Sequence, residues 1–433
     1  RRDVLHLLTD SVDRYGDIVR LRLGPQIMHL VNHPDQVDYV LKGNSQNYDR
    51  KTKSAIAVKA VCGNGLLSSD GELWHRQRRL MQPAFRGDRV GVFSSVMTEL
   101  TGEMLERWKG YAKSGEPLDI AAEMMSLTCT IAGQAFFGSD LRSETDSIAQ
   151  SMSIVLNEVW HRVMNPVRFL TVFRVGENRK YRKAIRDLDR IIDRIILERR
   201  RNKADSRDLL SFLLAARDEQ SVGFIDDKQL RDEIVTMLLA GHETTANLLA
   251  RTFLMISQFP GVDKKLRSEL VDVLGGRVPR QQDIPELTYT ANVISETMRL
   301  YPSIWVIQRR AISHDEIGGY PIPAGSSVVI SPYSIHRHRG FWEDPERFDP
   351  DRFEPGRFTD NHRRAYMPFG RNLHTCIGRD FALLESQLIV AMVTQACRLR
   401  VVPEHPIVSR PEITLGFRHG LLMTVSEYGD VEV

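Results

Sequence analysis

The chain has 433 residues, of which 42% are hydrophobic, and a formal net charge of +3. That length can bury a large core, a length prior alone would divide it into about three domains, and a charge so near balance does not call for nucleic acid. Four cysteines without a CxxC spacing argue against a disulfide scaffold or a zinc site and fit a reducing compartment.

No run of about 18 consecutive apolar residues offers a membrane span, and no signal-like stretch is present. The polypeptide as given therefore reads as soluble and cytoplasmic, although it begins at Arg1-Arg2 without a methionine, which leaves room for an earlier anchor or leader. Near the start, Val19 to Leu23 and Ile27 to Val31 alternate around Gly24-Pro25 and predict a hairpin. Next comes Trp74-His75-Arg76-Gln77-Arg78, on an amphipathic segment that Pro83 interrupts. Trp74 and Arg78 lie four apart on one face, so both can reach the same ligand edge. For Arg76 and Arg79 a solvated helix face is the simpler reading. Leu188, Ile191, Ile192, Ile195 and Ile196 recur at helix spacing, and Leu209 to Ala216 begins another helix after the charged break Arg199 to Asp208.

The stretch Asp227 to Ile256 is apolar and free of proline, about 45 Å long if helical throughout. At its middle stands Ala240-Gly241-His242-Glu243-Thr244-Thr245. Glycine in a helix interior costs about 1 kcal/mol relative to alanine, and threonine can bond back to a preceding carbonyl and bend the helix. Either this is a packing notch against another helix, or it is a functional groove beside an acid and a hydroxyl, Glu243 and Thr244. Further on, Glu296-Thr297-Met298-Arg299 ends a helix that Tyr301-Pro302 terminates. Glu296 and Arg299 share a face, an arrangement that is usually solvated and of little consequence alone. Strands are expected at Val328 to Ile330, at Ile312 near Ile317, and in a C-terminal hairpin from Ile413 to Leu415 and Leu421 to Val425. The glycine-rich Ile317 to Gly325 reads as a turn between strands.

Cys376 is the most informative residue. It lies in Phe369-Gly370-Arg371-Asn372-Leu373-His374-Thr375-Cys376-Ile377-Gly378, directly before the apolar helical stretch Phe381 to Val393. A thiolate ahead of a helix N-terminus is stabilised by the macrodipole and free N–H groups, and bound iron favours the anion further. The sulfur is therefore expected to stay anionic at neutral pH. The alternative is a buried, inert cysteine.

This segment resembles the haem-binding loop of the cytochrome P450 family, Phe-Gly-x-Gly-x-Arg/His-x-Cys-x-Gly, through Phe369, Gly370, His374, Cys376 and Gly378. Asn372 replaces the second glycine; asparagine tolerates left-handed backbone angles better than most residues. The Ala240 to Thr245 run is similar to the family's oxygen-activation motif, and Glu296, Arg299 and Arg347 of Pro345-Glu346-Arg347-Phe348 match its buried triad. The resemblance implies a mainly α fold with a small β region, a triangular α-rich prism around a long central helix, formed by one domain over residues 1–433. It implies haem b with Cys376 as iron ligand, and Trp74, Arg78, Arg309, Phe369, His374, Gly378 and Ala240 around the cofactor. Glu243 and Thr244 become the catalytic pair, and Leu66, Leu67, Val235, Leu239, Ile304 and Val306 the substrate pocket.

The implied activity is that of a haem-thiolate monooxygenase acting with O2 on a partly apolar small organic molecule. No flavin or nicotinamide domain is evident, so electrons are expected from a separate ferredoxin or flavoprotein reductase. Its docking face would carry Arg371 and Arg379, with Arg76, Arg79, Arg363 and Arg364 joining them in a basic patch. A peroxygenase or isomerase would need no oxygen-derived proton relay. Oxidative ring-forming or coupling chemistry in natural-product biosynthesis shares the oxygen chemistry and stays open as the alternative. A haem-based sensor or carrier would need neither relay nor redox partner.

Overall fold

A computed structural model describes residues 3–23, 26–138, 144–164, 175–201, 208–215, 217–218, 223–224 and 226–427. Its spine is the helix Asp227–Gln258, 32 residues or about 48 Å long. The Asp226 carboxylate caps it by accepting the Gln229 amide at 2.6 Å. Beyond its first turn this helix is buried on nearly every side, because neighbours cover it all round. It packs against Ile120–Phe137, Thr288–Leu300 and Arg379–Ala396. Ile120–Phe137 is long and apolar enough to cross a membrane by composition, yet most of it is buried in the core, so packing accounts for its apolarity.

The larger sheet runs, in spatial order, Ile18–Leu23, Gln26–Val31, Ser327–Ile330, Ile307–Ala311 and Tyr48–Asp49. The first two strands form the expected antiparallel hairpin, Ile18 opposite Val31; its Gly24-Pro25 turn lies outside the described residues. Helices Val175–Arg201 and Leu209–Ala215 flank the charged break, of which residues 202–207 lie outside the described set, as does Ala216. Ile312 belongs to no strand. The short ladder instead joins Asp315–Ile317 to Tyr320–Ile322 across Gly318-Gly319, whose φ values of 55° and 83° suit glycine.

The predicted C-terminal hairpin does not form. Ile413 and Thr414 lie in a turn rather than a strand; Leu415–Phe417 pairs with Ser409–Pro411, and Leu422–Glu427 pairs with Cys397–Val401. Alternation marks a strand without choosing its partner, and here each segment found an earlier neighbour.

One loop is pinned to the central helix by two buried carboxylates. Asp232 accepts the Asn64 amide at 2.8 Å and Glu233 the Leu66 amide at 2.9 Å. Burial raises the Glu233 carboxyl to about 7, against its bonds to Leu66 and Gln229. The approach is close enough to demand glycine: a Cβ on Gly65 would lie 2.0 Å from Thr236 Oγ1 and 2.6 Å from the Asp232 carbonyl oxygen. Gly65→Ala should therefore cost about 1–3 kcal/mol by forced displacement. Gly102→Ala, in the helix Ser94–Ser114 with nothing within 4 Å of the new methyl, should instead gain about 0.5–1 kcal/mol. Urea unfolding of the two variants checks the contrast, and equal midpoints would contradict the contact.

Candidate active site

The cysteine loop is a closed turn. The Cys376 amide donates to the Phe369 carbonyl at 2.8 Å and the Thr375 amide to the Asn372 carbonyl at 3.1 Å. Gly370 and Asn372 both take left-handed angles, φ 72° and 59°. Asn372 thus adopts the backbone for which the motif normally has glycine, and Asp38 helps hold it there. Asp38 accepts from Asn372 Nδ2 at 3.4 Å and from Arg371 Nη1 at 3.2 Å.

Cys376 is exposed, although burial still bears on its ionisation. Burial pushes the thiol up; the Gly378 amide, Arg78 and Arg379 pull it down without prevailing. The helix terminus and the nearby cations thus do not by themselves hold the sulfur anionic, and the expected anion depends on bound iron. A metal bond would supply the missing compensation and release the proton.

The Ala240 to Thr245 motif occupies the middle of the central helix. Ala240 is exposed, directly after the buried run Ile234 to Leu239. The two readings of this notch apply to different residues. A Cβ on Gly241 would lie 3.0 Å from Phe136 Cε2, which is close packing, whereas Ala240 faces open space. Thr244 Oγ1 donates to the Ala240 carbonyl at 2.7 Å, and the Thr244 carbonyl accepts from Ser303 Oγ at 2.8 Å. Glu243 does not turn toward the Thr244 hydroxyl. Its Oε1 accepts from Thr414 Oγ1 at 2.6 Å, and burial raises its carboxyl against Thr414 and Arg410.

Cations gather around the cysteine loop. Arg309 is only 7% exposed, and its side chain forms no ion pair among the described residues, only a 2.9 Å bond to the Gln308 carbonyl. Burial and Arg50 lower its guanidinium to about 10. His374 is lowered to about 3 by burial, then by Arg309 and Arg50. Its Nδ1 is buried without a hydrogen-bond partner among the described residues, and its ring lies 4.1 Å from that of Trp74. Arg78 donates to the Thr375 carbonyl at 2.8 Å. Asp70, the nearby acid, caps the Trp74 helix Gly71–Met81 and accepts the Arg50 amide at 3.0 Å. Buried cations with so little counter-charge suit a ligand bearing carboxylates, so the donor set fits haem. Arg50, after the short strand Tyr48–Asp49, carries no sequence signal and escapes motif reading.

Behind the loop, Glu296 and Arg299 are fully buried and bidentate, Nε to Oε2 at 2.7 Å and Nη2 to Oε1 at 2.8 Å. Arg347 is not the third member. Its side chain is exposed and only its carbonyl takes part, accepting Arg299 Nη2 at 3.1 Å. Arg352, five residues on, brings Nε to 3.4 Å from Glu296 Oε1. The chain turns between them, so Arg347 faces outward and Arg352 inward. Arg299 also donates to the carbonyls of His336 and Pro345 at 2.8 and 2.7 Å. Burial and Arg299 lower His336 to about 3. The neutral ring donates from Nδ1 to the Arg299 carbonyl at 3.1 Å and accepts the Met367 amide on Nε2 at 2.9 Å. His336 thus joins the brace to the chain entering the cysteine loop.

The proposed pocket residues are placed unequally. Leu66, Val235 and Leu239 are buried in the main core, Leu67 and Ile304 are exposed, and Val306 packs with Trp305 and the first helix. The expected basic patch is largely neutralised: Arg371 pairs with Asp38, Arg363 with Asp360, Arg364 with Asp35 and Arg379 with Asp380. Leu373, 55% exposed, stands among them.

Residues 1–425 match the family model for cytochrome P450. Cyclooctatin synthase from Streptomyces melanosporofaciens is 35% identical, covering 94% of this chain and 88% of the relative. Cyclooctat-9-en-7-ol 5-monooxygenase from the same organism is 36% identical over 91% and 84%. Pentalenene oxygenase from Streptomyces avermitilis is 31% identical over 93% and 88%. The crystal structure of the cytochrome P450DA heme domain superposes with a TM-score of 0.89 at 24% identity, covering 98% of this chain and 93% of that one.

Breaking the buried pair should show directly. Glu296→Ala leaves Arg299 and Arg352 buried without their counter-charge, at a cost of about 3–5 kcal/mol, and Arg347→Ala should stay within about 0.5 kcal/mol of wild type. Denaturant unfolding with haem retention measures both; a destabilised Arg347→Ala beside a stable Glu296→Ala would reverse the assignment.

Proposed function

Because this chain belongs to the cytochrome P450 family, we propose that the cleft between Cys376 and Ala240 is its catalytic centre and that residues 1–433 form one domain around it. The protein is a haem-thiolate monooxygenase with haem b as cofactor, using an organic substrate, O2 and a redox partner. Bound haem supplies the activation of O2, aided by electron density from its cysteine sulfur.

The chain's own residues divide the remaining work. Cys376 holds the metal. Arg50, Arg78, Arg309, Trp74 and His374 hold the cofactor's carboxylates, with Phe369 and Gly378 framing the sulfur and Ala240 leaving room above it. Thr244 presents a hydroxyl at the open side of the notch, where it holds and passes a proton; Glu243 is the acid behind it. The observation that carries this reading is Arg309, a buried guanidinium without an ion pair among the described residues, beside His374 at the cysteine loop.

For the substrate, two relatives are named for cyclooctat-9-en-7-ol and pentalenene. An apolar cyclic alkene or alkenol of that kind suits Leu66, Leu67, Val235, Leu239, Ile304 and Val306, all apolar. The electron donor is a ferredoxin or flavoprotein that docks over the exposed Leu373 rather than on net positive charge, since the neighbouring arginines are paired. Cytoplasmic location accords with the burial of Ile120–Phe137.

Thr244→Ala tests the proton role. It should keep haem content and substrate affinity but lower product formed per electron severalfold, the lost electrons appearing as peroxide or water. Unchanged coupling would reduce Thr244 to helix packing.

A further inference from the structure

The acid of the oxygen motif is governed by a part of the chain that no motif identifies. Thr414 Oγ1 donates to Glu243 Oε1 at 2.6 Å and accepts from Asn247 Nδ2 at 3.1 Å. A hydroxyl has one proton to give, and the Asn247 amide on its lone pair directs that proton onto the carboxylate. Thr414 is only 6% exposed, so little bulk water competes for the bond. It ends the turn Glu412–Thr414 between the strands Ser409–Pro411 and Leu415–Phe417. The turn is itself fixed, the Trp305 indole donating to the Glu412 carbonyl at 2.8 Å.

A second carboxyl stands at this turn. Glu412 is half-buried and its Oε2 lies 3.4 Å from Arg410 Nε. Burial raises the Glu412 carboxyl; Arg410, His161 and Arg418 draw it down, and the charge of Glu243 raises it. Arg410 also draws Glu243 down. Glu412 therefore feels the charge of Glu243, and Arg410 acts on both, the inner acid in the central helix and the outer one at the turn.

We propose that the turn Glu412–Thr414 supplies protons to Glu243, Thr414 setting the orientation and acidity of its carboxylate and Glu412 re-protonating it from solvent. This rests on Glu243 being the acid of the oxygen site. The step balances: a proton leaves the Glu412 carboxyl, reaches the Glu243 carboxylate through water, and is replaced on Glu412 from bulk solvent. Both residues act through Glu243 and are positioning residues.

The test uses the full-length holoenzyme with Thr414→Val, Thr414→Ser, Glu412→Gln and Glu243→Gln. The Glu243 carboxyl band is identified in the infrared by its loss in Glu243→Gln and is titrated against pH. Thr414→Val removes a hydrogen bond to the charged form, so that titration should move up by about one to two pH units, and Thr414→Ser should restore it. Product per electron under reductant-driven turnover should fall severalfold in Thr414→Val and Glu412→Gln, again with recovery in Thr414→Ser. Hydrogen peroxide brings its own protons and electrons, so peroxide-driven turnover should persist in both. Wild-type titration and coupling in Thr414→Val and Glu412→Gln, beside an uncoupled Glu243→Gln, would overturn the proposal and leave Glu243 as the site acid. Full coupling in Glu243→Gln would remove the underlying reading instead. Loss of peroxide-driven turnover together with coupling would place the defect in structure, which also overturns it. Should Thr414→Val fail to fold, Glu412→Gln on the half-exposed side of the turn decides the matter.

Discussion

The structure is organised around one sulfur. Cys376 sits where burial opposes its ionisation, and the amide and guanidinium groups around it do not fully offset that cost. A thiol so placed becomes an anion through a metal bond, so the loop must hold it ready in geometry before it is ready in charge. Two left-handed residues, the Phe369 carbonyl and Asp38 set the loop from within. From outside, the path Glu296–Arg299–His336–Met367 fastens the chain entering it.

The electrostatics of the cleft follow a related logic. Removing one partner of a buried ion pair strands the other charge, and the brace avoids this by giving Glu296 two guanidiniums and a backbone amide. The cofactor edge does the opposite. Arg309 and Arg50 are drawn down by burial and lie close together with Asp70 as the nearby acid. That arrangement is costly for the protein alone and favourable once carboxylates enter. Haem binding and stability are thereby linked, since any ligand bound only by the native state stabilises it.

What could be read from the sequence was what is local. The central helix is legible because 30 apolar-rich residues without proline admit no other element, and its bounds came within two residues of those seen. Cys376, Trp74 and Glu296 stand out in the sequence because motif spacing singles each out. Arg347 was misassigned for Arg352 because both lie in one irregular segment, where spacing does not say which side chain turns inward. Arg50, Asp38, His336 and Thr414 were invisible because each acts on a residue far away in sequence. Of the two C-terminal strands, Leu421 to Val425 was located with its partner missed, while Ile413 to Leu415 falls mostly in the turn before Leu415–Phe417, since alternation carries no record of who lies alongside. The carboxylates within the basic patch were missed for the same reason: Asp35 and Asp38, more than 300 residues earlier, pair with Arg364 and Arg371.

The central claim is that Cys376 alone supplies the metal's sulfur ligand. The other three cysteines are buried, and burial pushes each thiol up to about 12, which suits inert core positions. The most direct measurement is the absorption spectrum of the reduced protein under carbon monoxide, for wild type and Cys376→Ser. Wild type should show the strongly red-shifted Soret band of thiolate-ligated haem, and the substitution should abolish it. The same band persisting in Cys376→Ser would contradict the account and move the ligand to Cys62, Cys129 or Cys397.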